Sequence, residues 1–414
     1  MPPSHYLLYK FKGNDEPYLE VKSYWDIDKE NEIAKHSDDF LKQSFIELFT
    51  TSIKRRLRSD VAIGSSISGG LDSSSIVAVV NKILKNAEKQ KTFSAVFPGF
   101  EKDESKQIGL VIKNFNIDNY KINPTADDFI YDFEKLIYHQ EEPFQSSSIY
   151  AQFKVYELAK HKGVTVILDG QGADETMAGY SKYYHWFWQE KVAGCNLKEA
   201  RKEINSAKQN GQQIKWGWKN YVAAFLPQLA ANQLQKNSYK KQSNHPDLTY
   251  DFFSHNYNKT KIFKPPVTKL NDVLYFNTMQ FGLEELLRYA DRNAMAHSRE
   301  VRLPFLNHEL VQFIFNIPSS LKIKEGFTKY LLRISMNDFL PESIVWRKDK
   351  VGFEPPQKQW MQHAKVEEYI RESRHKLVNQ GILKQDVLQK PVRHHSAHEA
   401  DNFDWRYLCA AQCM

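Results

Sequence analysis

Apolar positions change period several times along the first half of this chain. In "FLKQSFIELFTTSIKRRL" they recur every three or four residues, the spacing of one helix face. By contrast, "VAIGSSIS", "TFSAVFP" and "VTVILDG" are short apolar runs ending in small or polar residues, the form of buried strands. Between them "DSSSIVAVVNKILKNAEK", a stretch after "EKDESKQIGLVIKNF" and "SIYAQFKVYELAKHKG" predict helices. Ahead of all these, "HYLLYKF" and "YLEVKSYW" read as two short strands around the turn "KGNDEP". Strands alternating with helices predict an α/β fold with a doubly wound parallel sheet. Ligands of such sheets bind beyond the carboxyl ends of the strands, near a switch in strand order. Those ends are Ser68 to Asp72, Val96 to Phe100, and Asp169 to Glu175. From Val273 onward the pattern is mostly helical, and no internal repeat is evident. Four segments follow: a hairpin and linker over 1–30, an α/β core over 31–185, a helical insertion over 186–269, and a helical part over 270–414.

Composition adds limits. A chain of 414 residues and 48.5 kDa exceeds the usual size of one hydrophobic core. No apolar run approaches the ~18 residues of a membrane span, and the start "MPPSHYLLYKFKGNDEP" lacks signal-peptide pattern. With three cysteines, Cys195, Cys409 and Cys413, and no CxxC, free thiols in a reducing, cytoplasmic setting are expected. The net charge of +7 is local: Ser181 to Leu270 holds 15 Lys and Arg against 5 Asp and Glu. Four tryptophans, Trp186, Trp188, Trp216 and Trp218, lie in the same stretch. Basic residues among aromatics suit nucleic acid, but the expectation here is a helical subdomain with lysines outward and tryptophans inward, and no nucleic-acid partner.

The candidate chemistry starts at "SISGGLDSSS". Gly64 and Gly69 have the separation of a Walker A loop, but Gly70 stands where its lysine should be. The alternative is a loop in which Gly69 and Gly70 bring backbone N–H groups to phosphate while Ser68, Ser73 and Ser74 donate hydrogen bonds. Asp72 would repel phosphate unless Mg²⁺ lay between them, a cation usually held by one or two carboxylates and phosphate oxygens. A second carboxylate is available in "ILDGQGADETMAGY", where Asp174 could complete the metal site and leave Glu175 near the reacting carbon.

"SGGLDSS" is the PP-loop signature of ATP pyrophosphatases that form adenylates. Together with "TFSAVFPGFEKDES", "EEPFQSSSIYAQ", "LDGQGADETMAGY", "LRYADRNAMAHSREVRLPFLNHELV" and "VWRKDKVGFEPP", it resembles the synthetase domain of glutamine-dependent asparagine synthetases. The resemblance implies a PP-loop (adenine nucleotide alpha hydrolase-like) fold, ATP and Mg²⁺ as cofactors, and a ligase forming β-aspartyl-AMP, which ammonia converts to asparagine. On this likeness Ser68, Gly69, Gly70, Asp72, Ser73 and Ser74 would hold pyrophosphate, with Asp72 and Asp174 on Mg²⁺. Val96 would face adenine and Gly170 the nucleotide. Lys350 would stabilise charge developing at phosphorus, Glu175 would help deprotonate the attacking amine, and Glu300 would be a further pocket carboxylate. Arg347 and Lys348 read as surface residues, Arg302 as a structural partner of a carboxylate, and His297 as a satisfied helix histidine.

Two departures stand out. Glutamine-dependent members carry a catalytic cysteine after the initiator methionine, whereas Pro2 follows Met1 here and no cysteine precedes Cys195. The expectation is a synthetase half without its glutaminase domain, fed by a separate glutaminase subunit or by free ammonia or another amine. Asn307 also replaces the usual aspartate, with little expected effect. Intramolecular amide formers such as β-lactam synthetases or lasso-peptide cyclases are the main alternative, because they keep the same adenylation site. A tRNA-modifying PP-loop enzyme and an inert binding subunit are weaker alternatives.

Overall fold

The computed structural model describes residues 1–11, 18–29, 33, 36–85, 89–257, 264–348 and 352–414. Strands β1 (His5–Lys10) and β2 (Tyr18–Ser23) pair antiparallel as a hairpin. The central sheet contains β3 (Ile63–Ser66), β4 (Gln90–Ala95), β5 (Ile117–Ile122), β6 (Val166–Leu168) and β7 (Glu300–Arg302). Its order is β5-β4-β3-β6-β7, and every pairing is parallel. The chain steps outward from β3 through β4 to β5, then returns to the other side of β3 with β6. The switch in strand order therefore lies between β3 and β6, where a crevice opens at the carboxyl ends. A short pair, β8 (Ile323–Lys324) and β9 (Phe327–Thr328), lies outside this sheet.

Side chains alternate across the sheet, so Ile167 joins one core and Leu168 the other. The first core gathers Phe93, Phe129, Tyr150, Phe153 and Trp405; the second gathers Phe45, Phe49, Val77, Ile314 and Leu332. Both draw on sequence-distant segments, and Trp405 stacks on Phe129 at 5.2 Å. The helix Asp38–Arg56 shows why its sequence folds locally. Ser37 caps it by accepting from the Phe40 N–H, Asp38 and Asp39 begin it, and Lys54, Arg55 and Arg56 end it. Its residues Leu41, Phe45, Phe49 and Ile53, four apart, are all buried. Among the described residues no helix is long and apolar enough to cross a membrane.

Two strands escaped the periodicity. Strand β5 carries Asp118, Asn119 and Lys121 and lies at the sheet edge, so its apolar signal is diluted. The helix Ala126–Gln140, by contrast, opens with a capping box between Thr125 and Asp128 and spaces its buried Phe129, Phe133, Leu136 and Ile137 along one face. Strand β7 has three residues inside a region whose pattern is otherwise helical. The basic segment also differs in part. Trp188 is buried, but Trp218 is 72% exposed, and neither Trp218–Phe225 nor Pro227–Ser243 has a fully buried residue.

Candidate active site

Strand β3 runs into Ile67, Ser68 and the two glycines, and the helix Leu71–Leu84 starts at once. Gly69 has φ +73°, and a Cβ there would lie 2.7 Å from Gln107 Cβ and 2.8 Å from the Ile108 nitrogen. Glycine is thus required twice, by conformation and by the close approach of the helix Ser105–Ile112. Ser73 Oγ accepts from the Ser68 N–H at 3.2 Å, and Ser68 Oγ accepts from the Gly70 N–H at 3.3 Å. No side chain caps the helix at Gly70, so the first N–H groups are left for a ligand. Ser74 is buried, and its Oγ has no hydrogen-bond partner among the described residues.

Strand β6 delivers the second carboxylate. Asp169 is a brace: it accepts from Ser66 Oγ at 3.0 Å, Tyr156 Oη at 2.9 Å and the Gly170 N–H at 2.6 Å, tying the ends of β6 and β3 together. Gly170 then passes so near the helix start that an added Cβ would lie 3.2 Å from Asp72 Cβ. Asp72 and Asp174 converge on one ammonium. Lys329 Nζ lies 2.5 Å from Asp72 Oδ2 and 2.6 Å from Asp174 Oδ1. Lys329 is only 5% exposed. Burial opposes its charge, but Asp174 and Asp72 outweigh burial and hold its pKa above the usual lysine value. Two carboxylates focused on one point are a donor set that fits a hard divalent cation with phosphate oxygens, and Lys329 occupies the bridging position between them.

Sequence reasoning missed Lys329. In "GFTKYLLR" it reads as the polar residue ahead of an apolar helix, and nothing local shows that it adopts φ +53° and turns back to the crevice. It also missed Tyr180, whose hydroxyl donates to Glu175 Oε1 at 2.5 Å. Glu175 is buried; desolvation and then Asp174 raise its pKa, against the Tyr180 hydrogen bond.

The other predicted residues fall in two groups. Val96 is buried just beyond β4, its N–H bonded to Ile122 O at 2.9 Å, beside the β3 loop's strand. Lys350 lies outside the described residues, but both flanks of its segment reach the loop after β4. Arg347 pairs with Glu104 at 2.8 Å, and Glu354 pairs with Lys102 at 2.9 Å. Arg347 is therefore a largely buried tie rather than a surface residue, because its charge has a largely buried partner in Glu104. Glu300 is not brought to the crevice. It pairs with Val166 at the beginning of β7, the opposite end of the strands, and its exposed carboxylate binds Arg302 Nε at 2.6 Å. Arg302 in turn donates to Arg56 O and Arg58 O. His297 differs as well: it is buried, but its Nε2 has no hydrogen-bond partner among the described residues.

The family model for asparagine synthase matches residues 44–412, which include every element of the crevice. The chain belongs to the asparagine synthase family. The glutamine-hydrolysing asparagine synthetase 1 of Bacillus subtilis (strain 168) is 28% identical over 375 residues, covering 88% of this chain and 57% of its own. A putative asparagine synthetase 2 of Methanocaldococcus jannaschii is 33% identical over 225 residues, covering 49% of this chain and 42% of its own. The amidase chry2 of Gibberella zeae is 22% identical over 412 residues, covering 89% and 60%. The chain thus spans about 60% or less of the length of these curated relatives. Among solved structures, an NMN synthetase from Francisella tularensis aligns with a TM-score of 0.24 at 13% identity over 35% of this chain and 60% of its own, a likeness too slight to bear on the fold. Family membership and the five-stranded parallel sheet identify an α/β fold of the PP-loop type.

Proposed function

We propose that the crevice binds Mg²⁺-ATP and transfers AMP to a carboxylate, the side chain of aspartate in the reading closest to the family. The carboxylate oxygen attacks the α-phosphorus, the bond to pyrophosphate breaks, and ammonia or another amine then attacks the acyl carbon. AMP leaves, and the amine loses a proton. The observation that carries this reading is the convergence of Asp72 and Asp174, from neighbouring strand ends, on one cation at an uncapped helix N-terminus.

In this scheme Ser68, Gly69, Gly70, Ser73 and Ser74 cradle pyrophosphate, while Val96 and Gly170 border the nucleotide. Asp72 and Asp174 would hold Mg²⁺, which would neutralise the polyphosphate and orient it. Lys329 keeps the two carboxylates together, and Glu175, anchored by Tyr180, is the nearby buried carboxylate suited to take the amine's proton. Lys350 would meet the charge developing at phosphorus. Glu300 receives no role, given its place at the far end of β7. The setting is cytoplasmic, in keeping with three free cysteines.

The test is exchange of labelled pyrophosphate into ATP, and AMP release, each measured with and without L-aspartate and a panel of amines. Aspartate-dependent exchange is expected, and Asp72→Ala should abolish it. Release of ADP and phosphate would reject adenylation. Exchange with a peptide or β-amino acid instead of aspartate would move the chain to intramolecular amide formation at the same site.

A further inference from the structure

A cleft of about 680 Å³ opens away from the crevice, between the end of the helix Pro227–Ser243 and the start of the helix Phe403–Gln412. Its lining brings together Lys240, Lys241, Arg393 and Arg406, against one acidic residue, Asp401. None of these four cations makes an ion pair among the described residues, although carboxylates lie directly beneath. Those carboxylates are already engaged. Asp404 pairs with Arg374 at 2.6 Å and accepts from the Arg393 N–H, while Asp247 pairs with Lys390 at 2.8 Å and accepts from Tyr407 Oη. The floor is therefore neutralised from within, and the rim is left with a surplus of positive charge.

Two further features shape the cleft. His245 Nδ1 accepts from the Asp247 and Leu248 N–H groups, so the neutral ring carries its proton on Nε2 as a donor. The ring also meets Phe403 edge-on at 4.4 Å, which adds a flat apolar wall. The volume is that of a pocket for one small molecule. A single-stranded nucleic acid would need successive stacking platforms, and the lining offers one phenyl ring. Four cations facing one carboxylate match a ligand with two to four negative charges, and arginine with lysine is the pairing that suits phosphoryl oxygens.

We propose that this cleft binds a small polyanion of the di- or triphosphate class, as a second site separate from the ATP crevice. Hydrogen–deuterium exchange on the full chain tests it, with inorganic tripolyphosphate as the probe. Protection of residues 237–246 and 400–406 is expected, at about tenfold higher probe concentration in Arg393→Gln/Arg406→Gln, and weaker as salt rises. Lys240→Gln/Lys241→Gln, on a helix with no fully buried residue, gives the same readout should the arginine variant fold poorly. ATP in parallel separates the sources: protection at lower concentration than tripolyphosphate assigns a nucleotide, and equal protection a free phosphate chain. Unchanged exchange in both segments overturns the proposal, as does protection that survives both double variants. Protection spreading along 218–243 with short single-stranded RNA, at lower charge concentration than tripolyphosphate, would replace it with an extended nucleic-acid surface.

Discussion

Lys329 joins the two sides of the crevice, and its effect on stability can be read from its charge. Removing it leaves Asp72 and Asp174 facing one another in a closed space, so Lys329→Met should cost about 3 kcal/mol at neutral pH. Because its folded pKa is raised above 10.5, its stabilisation is fully present below that pH and is lost as pH rises through the folded value. Urea unfolding across alkaline pH should show that loss in the parent chain and not in the variant; identical slopes would exclude the pairing. His297 gives the opposite case. Burial first, then Lys135, Lys160 and Lys154, lower its pKa to about 3 from 6.5. Stability should therefore fall as pH drops below 6.5, by about 2 kcal/mol at pH 5, and His297→Phe should remove that slope. At this scale the sequence pointed to the carboxylates, since Asp72 and Asp174 both follow glycines at the ends of apolar strands. It concealed their cation, because a left-handed lysine looks like any other lysine.

The glycine-serine loop after β3 owes its shape to a neighbouring element. Gly69 needs a left-handed backbone and also lacks room for a Cβ beside Gln107 and Ile108. Gly69→Ala should cost about 2 kcal/mol of strain and push the loop off the helix Ser105–Ile112, with pyrophosphate exchange falling at least tenfold. Circular dichroism unchanged beside lost exchange would place the damage in the loop; full exchange would show that the close approach is dispensable. The strands and helices around the loop were legible because each has a strong period and a clear end. Strands β5 and β7 were not, since an edge strand tolerates polar residues and a three-residue strand has no period. Glu300 was placed in the pocket by the family resemblance, and only the register with Val166 shows which end of the sheet it occupies.

Across the whole molecule, the last helix completes the first core. Trp405 is fully buried among Phe129 and Phe144, and the Arg374–Asp404 pair is buried beside it. Trp405→Ala should lower global stability by about 3–5 kcal/mol, with fluorescence and circular dichroism reporting one common transition. An independent early transition confined to the C-terminal part would show that the core is divisible. The same long-range closure has a consequence for synthesis. Residues 169–299, 131 positions in all, separate β6 from the strand that covers its open edge. At ~5–20 residues per second a ribosome needs roughly 7–26 s to make that interval. Throughout it Val166, Ile167 and Leu168 form an uncovered apolar edge, the kind that recruits stray strands. A nascent chain stalled before Glu300 should therefore bind holdase chaperones that one extended through Met414 does not.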